Sequence, residues 1–175
     1  MSANHKLYDT LFLDRDGVIN KKIDDDYVLK IKEIEILNGV PYFLSKIKSS
    51  FRRIVIVTNQ RCVGRKLISM SELEVINTEI NTLTGNYIDR FYVCPHLAED
   101  NCNCRKPKAG LFLQALRDYP IDFESSWMVG DSETDLIPAK ELGIKSVFIS
   151  RSASVYADIV VPSVADLLTV FNKQL

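Results

Sequence analysis

The sequence lacks three features that would point to a nucleic acid or a membrane as partner. It has no excess of charge of one sign, because 22 lysine and arginine residues balance 23 aspartate and glutamate residues for a net charge of −1. Its longest apolar runs have only the length of a strand, and residues 1–9 contain no basic segment followed by an apolar one. Nucleic-acid binding requires a basic surface and a membrane span requires about 20 apolar residues, so neither is expected. We expect a cytoplasmic protein.

The chain also lacks internal repeats, low-complexity tracts and any stretch with the composition of an interdomain linker. With 175 residues, of which 46% are hydrophobic, it can bury one sizeable core and has little left for a second. We therefore predict one domain over residues 1–175 and expect the protein to act as a monomer.

Short apolar runs alternate with longer segments of helical periodicity along the whole chain. This alternation predicts an α/β fold, in which a mainly parallel, Rossmann-like sheet is covered by helices on both faces. The predicted strands are residues 8–13, 54–57, 90–93, 126–129 and 146–149. The predicted helices are residues 41–50, 71–83, 110–118, 133–142 and 164–172.

Three local patterns refine this outline. The spacing of Ser71 and Glu74 predicts a capping box at the start of a helix whose inward face carries Leu83. Residues 20–37 are polar and mixed, which predicts a partly extended excursion over the functional site. Only about forty residues separate Asp16 from the end of the next predicted strand, and a helix occupies part of them. A lid of domain size therefore does not fit there.

Cysteine is scarce, yet three of the four cysteines lie within eleven residues of one another, together with one of the two histidines. Cys94, His96, Cys102 and Cys104 supply three thiolates and an imidazole, the ligand types and number of a closed tetrahedral zinc site. A disulfide is the alternative, but a reducing cytosol disfavours it, and the spacing of Cys102 and Cys104 is cramped for a bridge. With four protein ligands, the zinc would be structural. Cys62 stands apart and is expected to be a buried thiol.

An acidic pattern follows the first predicted strand. Asp14-Arg15-Asp16-Gly17 closes the apolar run Leu11-Phe12-Leu13, which sets two carboxylates one residue apart where open α/β sheets build their active sites. Beside a divalent cation, one such carboxylate can attack phosphorus, while the second carboxyl group transfers a proton to the leaving group. For an isolated motif of this kind, an ordinary polar turn is the alternative.

Three later segments make the pattern more specific. They are Thr58-Asn59-Gln60, Cys104-Arg105-Lys106-Pro107 and Gly130-Asp131-Ser132, and each follows or adjoins a predicted strand. A phosphotransferase that works through an aspartate needs a hydroxyl and a cationic side chain on the phosphoryl oxygens, and acidic ligands for magnesium. Thr58, Lys106 and Asp131 can supply these groups.

With these motifs, together with Asp26-Tyr27-Val28 and Cys94-Pro95-His96, the chain resembles the haloacid dehalogenase-like phosphatases from about residue 8 to about residue 162. Within them it looks most like the capless, zinc-containing branch of the D-glycero-D-manno-heptose-1,7-bisphosphate 7-phosphatases and histidinol-phosphatases. The resemblance implies a capless haloacid dehalogenase-like fold with a zinc loop. It also implies phosphomonoester hydrolysis, a catalytic Mg²⁺, a structural Zn²⁺ and a small phosphorylated substrate, expected to be a sugar bisphosphate.

The resemblance further implies a role for each matching residue. Asp14 would be the nucleophile, and Asp16 the acid and base, of a reaction through an aspartyl-phosphate. Thr58 and Lys106 would stabilise the transferring phosphoryl group. Magnesium would bind the carboxylates of Asp14 and Asp131 and the backbone carbonyl of Asp16. The other implied roles are substrate binding, by Arg15, Tyr27, Asn59, Gln60, Arg61, Arg65, Arg105 and Ser132, and the orientation of waters or of Lys106, by Asp135.

The chain departs from the family pattern after its second motif. Arg61 and Cys62 stand where heptose-bisphosphate phosphatases usually have serine and glycine, which changes the charge of a loop near the phosphate. Analogy with the stretches 27–28 and 36–40 nevertheless favours a heptose bisphosphate as substrate. Histidinol phosphate is the alternative, because the zinc loop is short and residues 24–26 offer an acidic pocket. A non-catalytic, zinc-stabilised binding module is the remaining alternative.

Overall fold

Parallel strands form one six-stranded sheet at the centre of the protein, in a computed structural model that describes residues 7–174. The strands are β1 (Tyr8–Leu13), β2 (Phe51–Asn59), β3 (Arg90–Cys94), β4 (Trp127–Gly130), β5 (Lys145–Ile149) and β6 (Ile159–Val161). They lie in the order β3-β2-β1-β4-β5-β6, and each neighbouring pair is parallel. The predicted parallel sheet is confirmed.

Helices follow most of the strands. They are α1 (Val40–Ile47), α2 (Arg61–Gly64), α3 (Met70–Leu83), α4 (Gly110–Asp118), α5 (Glu133–Glu141) and α6 (Leu167–Gln174). Short 3₁₀ helices lie at Ile31–Glu33, Lys48–Ser50 and Val164–Asp166. Among the helices of residues 7–174, none combines the length and the apolar content that a membrane span requires.

The central strands β1 and β4 are buried on both faces of the sheet. In β1, Leu11 and Leu13 join the core beneath α1, α3 and α6, whereas Phe12 points to the other face and packs on Phe112 of α4 with ring centroids 5.0 Å apart. Because successive side chains of a strand point to opposite faces, an uninterrupted apolar run requires cover on both sides. The predicted arrangement of helices on both faces is therefore confirmed.

The N-cap of α3 lies two residues before the predicted one. Ser69 is the N-cap: its hydroxyl oxygen accepts from the N–H of Glu72 at 3.2 Å, and its own N–H donates to the Glu72 carboxylate at 2.8 Å. The predicted pair, Ser71 and Glu74, has the same spacing but lies inside the first turns. Ile68, directly before the true cap, is buried in the core and holds the chain at that point.

Two further differences concern short or terminal features. Leu83, predicted to face inward, is 46% exposed because it lies in the last turn of α3. Neither the three-residue edge strand β6 nor the single turn α2 was predicted, since elements this short carry too little periodicity. Strand β2 extends beyond the predicted residues 54–57 at both ends.

The strand order creates a crevice at the centre of the sheet. From β1 the chain moves outward through β2 and β3, then returns to the other side of β1 and continues outward from β4. Open α/β sheets bind ligands at the carboxyl ends of the strands where the order reverses in this way. The segment after β1 lies at this edge, where the N–H of Asp14 donates to the carbonyl of Val129 at 3.0 Å. The excursion at residues 20–37 is closed by a bridge between Asn20 and Ile36.

Candidate active site

The turn after β1 is tight and brings the end of β4 against it. The N–H groups of Ile19 and Asn20 donate to the carbonyl of Arg15 at 2.8 and 3.1 Å, which folds the chain back sharply. Gly17 has a φ of +94°, and a Cβ atom there would lie 2.1 Å from Oδ2 of Asp131. Only glycine satisfies both conditions, so the fourth position of the acidic motif allows the carboxylate after β4 to approach.

A buried lysine pairs with the first carboxylate. Nζ of Lys106 donates to Oδ1 of Asp14 at 2.8 Å, to Oδ1 of Asp135 at 2.6 Å and to the carbonyl of Val57 at 2.6 Å. Burial lowers the pKa of Lys106, but the charges of Asp135 and Asp14 outweigh burial and raise the pKa above its ordinary value. The lysine is therefore a fixed cation beside Asp14.

The acidic groups around Asp14 are crowded. Burial raises the pKa of Asp14 to about 6, because the attraction of Lys106 is opposed by the charges of Asp135 and Asp16. Burial, helped by the charge of Asp14, likewise raises the pKa of Asp131 to about 6. Ligand oxygens of Asp14, Asp131 and Asp135 lie within 4.8 Å of one another. One ammonium does not balance these carboxylates, so the donor set suits a hard divalent cation such as Mg²⁺.

Asp16 is held by three neighbouring side chains. Its carboxylate accepts from Arg15 at 3.0 and 3.2 Å, from Asn20 at 2.8 Å and from Gln60 at 2.6 Å, and Arg15 is held in turn by Asn77 at 3.1 Å. Burial alone would raise the pKa of Asp16, but the charge of Arg15 and these hydrogen bonds lower it below its ordinary value. The side chain is therefore a positioned carboxylate in the free protein.

Most of the residues singled out in the sequence line one cleft of about 350 Å³. Arg15 and Gln60 do not line it: they are 0% and 1% exposed and are hydrogen-bonded to Asp16. In this structure the two residues therefore contact Asp16 rather than the open space of the cleft. Arg65 lies outside the cleft lining, against the ring of Tyr27. The expected residues that line the cleft are Asp14, Asp16, Tyr27, Thr58, Asn59, Arg61, Arg105, Lys106, Asp131, Ser132 and Asp135.

Three residues that were not predicted from the sequence contact the groups of this site. Asn20 holds Asp16, Asn77 holds Arg15, and Nζ of Lys22 lies 3.8 Å from Oδ2 of Asp131. Asn77 did carry a signal, because it is a polar residue on the otherwise apolar inward face of α3. Lys22 carried none, since an exposed lysine in a polar segment resembles an ordinary surface residue.

The cysteines and the histidine of the loop after β3 form one cluster. Sγ of Cys102 lies 3.6 Å from Sγ of Cys94 and 3.5 Å from Sγ of Cys104, and Nδ1 of His96 lies 3.7 and 3.2 Å from the sulfurs of Cys94 and Cys104. A tetrahedron with zinc–sulfur bonds of about 2.3 Å has edges of about 3.8 Å, close to these distances. All four cysteines are free thiols, so the disulfide alternative does not hold. The cluster is a possible zinc site.

Hydrogen bonds join the cysteine loop and the adjoining Lys106 to the end of β2 and to α2. The side chain of Asn59 donates to the carbonyl of Lys106 and accepts from its N–H, both at 3.1 Å. The N–H of Gly64 in α2 donates to the carbonyl of Pro95 at 2.9 Å. A Cβ atom at Gly64 would lie 2.7 Å from that carbonyl oxygen, so α2 packs directly on the loop. The order of the loop therefore affects both Lys106 and α2.

Known proteins are similar to this chain in sequence and in fold. A HAD-hydrolase-like family model matches residues 103–167. The D-glycero-beta-D-manno-heptose-1,7-bisphosphate 7-phosphatase of Haemophilus ducreyi is 35% identical over 179 aligned residues, which cover 93% of this chain and 97% of the relative. The D-glycero-alpha-D-manno-heptose-1,7-bisphosphate 7-phosphatase of Mycobacterium bovis is 44% identical over 131 residues, which cover 72% of this chain and 68% of the relative.

A solved structure agrees with the fold over nearly the whole chain. The D,D-heptose 1,7-bisphosphate phosphatase from B. bronchiseptica, in complex with magnesium and phosphate, superposes with a TM-score of 0.85 at 24% identity. The superposition covers 95% of this chain and 99% of that protein. The fold, with a carboxylate pair at the end of β1, is thus that of a haloacid dehalogenase-like hydrolase.

Within that class, the chain belongs to the D-glycero-D-manno-heptose-1,7-bisphosphate 7-phosphatase family of phosphatases. The predicted family resemblance is confirmed. Because the relatives are phosphatases, the alternative of a non-catalytic binding module is abandoned.

Proposed function

We propose that the protein is a Mg²⁺-dependent phosphomonoester hydrolase that works through an aspartyl-phosphate and removes the 7-phosphate of D-glycero-D-manno-heptose 1,7-bisphosphate. The position of Asp14 supports this most directly, because it lies at the bottom of the cleft in contact with Lys106 and close to Asp131. The names of the relatives support the choice of substrate, and those two names specify different anomers. The substrate partner is therefore a small sugar bisphosphate.

In the first half-reaction, a carboxylate oxygen of Asp14 attacks phosphorus, and the bond between phosphorus and the sugar oxygen breaks. Lys106 neutralises charge on the phosphoryl oxygens. Oγ1 of Thr58 accepts from Gln60 at 2.9 Å, which leaves its O–H free to donate to a phosphoryl oxygen. These groups are held in place before the substrate arrives, so little reorganisation is needed during the reaction.

Asp16 donates a proton in the first half-reaction and accepts one in the second. The negative charge of the substrate phosphate raises the pKa of the neighbouring Asp16 carboxyl, which then carries the proton that the departing sugar oxygen requires. In the second half-reaction the same carboxylate takes a proton from the water that attacks the aspartyl-phosphate. Arg15, Asn20 and Gln60 act by orienting Asp16.

The carboxylates of Asp14 and Asp131, with the backbone carbonyl of Asp16, would hold Mg²⁺. Asp135 would not ligate the ion, because its Oδ1 accepts from Lys106 and its Oδ2 accepts from the N–H of Ser132 at 3.2 Å. When bound, the ion supplies positive charge that offsets the repulsion between the substrate phosphate and the acidic residues.

Magnesium is expected to raise the Tm of the protein more at pH 7.5 than at pH 5. The pKa of both Asp14 and Asp131 is raised to about 6, so at pH 5 each carboxyl is mostly protonated and binds Mg²⁺ roughly tenfold more weakly. Without metal, the folded state binds more protons than the unfolded state between these pKa values and about 4. The contribution of these two carboxyl groups to the free energy of unfolding should therefore rise as the pH falls through 6.

Thermal melts at both pH values, with and without Mg²⁺, measure this dependence. Asp131→Asn should remove most of the stabilisation by Mg²⁺, whereas Asp158→Asn, remote from the cleft lining, should retain it. An equal rise in Tm at the two pH values would contradict the assignment of these carboxylates as ligands.

Cys94, His96, Cys102 and Cys104 would hold a structural Zn²⁺. Burial raises the pKa of Cys94 to about 12 and also raises that of Cys104, so in the absence of a cation these thiols are protonated. Zinc bound by thiolates releases those protons and ties the loop together. With four protein ligands there is no open position for chemistry, so the role of this ion is to hold the loop that carries Lys106.

Histidinol phosphate remains the competing substrate, because the acidic residues Asp25 and Asp26 line the cleft. Arg61 and Arg105 line it too, and they would repel the amine of histidinol. The deciding experiment compares kcat/KM for both anomers of the heptose bisphosphate and for histidinol phosphate, with Mg²⁺ present. We expect a heptose preference. Faster turnover of histidinol phosphate would keep the mechanism and refute the substrate.

A further inference from the structure

Three guanidinium groups near the mouth of the cleft lack a carboxylate partner among residues 7–174. Arg61 and Arg105 line the cleft, and Arg65 lies one helical turn after Arg61, with its N–H donating to the Arg61 carbonyl at 2.9 Å. None of the ion pairs within residues 7–174 includes any of the three. Lys106, at the bottom of the cleft, is by contrast paired with two carboxylates. The positive charge at the mouth is thus uncompensated.

Arg61 is held in place by an aromatic side chain from another segment. Its Nε donates to the hydroxyl oxygen of Tyr27, and its guanidinium carbon lies 5.7 Å from the centroid of the Tyr27 ring. The guanidinium of Arg65 lies 5.8 Å from the same ring. Stacking of this kind orients a guanidinium without neutralising it. In the described part of the chain, the terminal nitrogens of Arg61 have no hydrogen-bond partner, so they remain available for a bidentate contact.

The acidic residues of the cleft do not neutralise this charge. Asp25 and Asp26 line the cleft, yet neither has a carboxylate oxygen within 4.0 Å of an arginine nitrogen, and Oδ1 of Asp26 accepts from the N–H of Tyr27 at 2.9 Å. The two lysines of the lining are paired, since Nζ of Lys22 lies 3.8 Å from Oδ2 of Asp131 and Lys106 contacts two carboxylates. The unpaired positive charge of the lining is therefore concentrated at Arg61 and Arg105.

We propose that Arg61, held by Tyr27, binds the phosphate that the enzyme does not cleave, and that this contact determines the preference of the protein for bisphosphates over monophosphates. A phosphate matches the planar fork of a guanidinium, and it supplies the negative charge that the mouth of the cleft lacks. The subsite rests on the proposed function for the reaction at Asp14.

The test measures the ratio of kcat/KM for D-glycero-D-manno-heptose 1,7-bisphosphate to kcat/KM for the corresponding heptose 7-phosphate. Arg61→Ser should lower this ratio by roughly 10- to 100-fold, as expected for the loss of hydrogen bonds to a charged group. Arg61→Lys keeps the charge but not the fork, so it should lower the ratio less. Tyr27→Phe keeps the ring and removes the hydroxyl, and it should also have a smaller effect than Arg61→Ser.

Arg117→Ser is the matched control, because Arg117 is exposed on α4 and does not line the cleft. If the ratio is the same in Arg61→Ser as in the unaltered protein, the proposed subsite is refuted. A second pair of substrates, fructose 1,6-bisphosphate and fructose 6-phosphate, separates this inference from the proposed function. A bisphosphate preference that depends on Arg61, in a protein that does not cleave the heptose compounds, would refute the heptose assignment and support the subsite.

Discussion

Replacing Asp14 by asparagine is expected to lower kcat for the heptose bisphosphate by about 10⁴- to 10⁶-fold, the loss typical of removing a catalytic nucleophile. The amide is neutral and cannot form the aspartyl-phosphate. It is also a poorer ligand for Mg²⁺ than a carboxylate. Release of inorganic phosphate, measured with saturating substrate and Mg²⁺, gives kcat for both proteins.

The fold should survive this substitution. Lys106 retains its contacts with Asp135 and with the carbonyl of Val57, so the loss of Asp14 does not leave the ammonium unpaired. Circular dichroism and a thermal melt check this point. Asp24→Asn is the matched control, since Asp24 is an exposed neighbour of the cleft that does not line it. Substantial turnover by a folded Asp14→Asn protein would show that another group attacks phosphorus.

Replacing Cys104 by serine is expected to remove bound zinc and to lower kcat by about 10²- to 10³-fold. Cys104 lies two residues before Lys106, and the loop between β3 and α4 holds that lysine through contacts with the end of β2. Without the metal this loop loses its main constraint, because the described loop contains no disulfide and little apolar core. The expected loss in kcat is that of one preorganised donor to the transition state.

Elemental analysis of the purified protein gives its zinc content, and a thermal melt gives the change in Tm. Cys62→Ser provides the matched control, because Cys62 is a buried thiol outside the cluster. We expect about one zinc per chain in this control and none in Cys104→Ser. A Cys104→Ser protein with full zinc and full activity would contradict the role assigned to the cluster.

Much of the fold could be predicted because its elements have clear periodicity. The predicted strand at residues 8–13 ends in the uninterrupted apolar run Leu11-Phe12-Leu13, which predicted burial on both faces, and β1 has that environment. The prediction was wrong where two local patterns were equally good, as at Ser69 and Ser71. It was incomplete where an element was too short to show a period, as at α2 and β6.

Some features of the candidate site could likewise be predicted from the sequence, and others could not. The order of the motifs was enough to predict that Asp14, Lys106 and Asp131 meet, because carboxyl ends of parallel strands share one edge of the sheet. The order of the motifs could not predict that Arg15 and Gln60 lie buried behind Asp16. Whether a polar side chain next to a catalytic residue faces the cleft or the interior depends on partners distant in sequence, such as Asn77 on α3.

The sequence by itself determined the class of fold, the candidate zinc ligands and the set of groups available for phosphoryl transfer, because each depends on residue type and spacing along the chain. Only the tertiary structure decided which charges are compensated. Lys106 is paired with two carboxylates, whereas Arg61 is stacked on Tyr27 and has no carboxylate partner in the described part of the chain, although both are ordinary cations in the sequence. Electrostatic interactions fall off with distance in space rather than with separation along the chain, so the folded arrangement sets them.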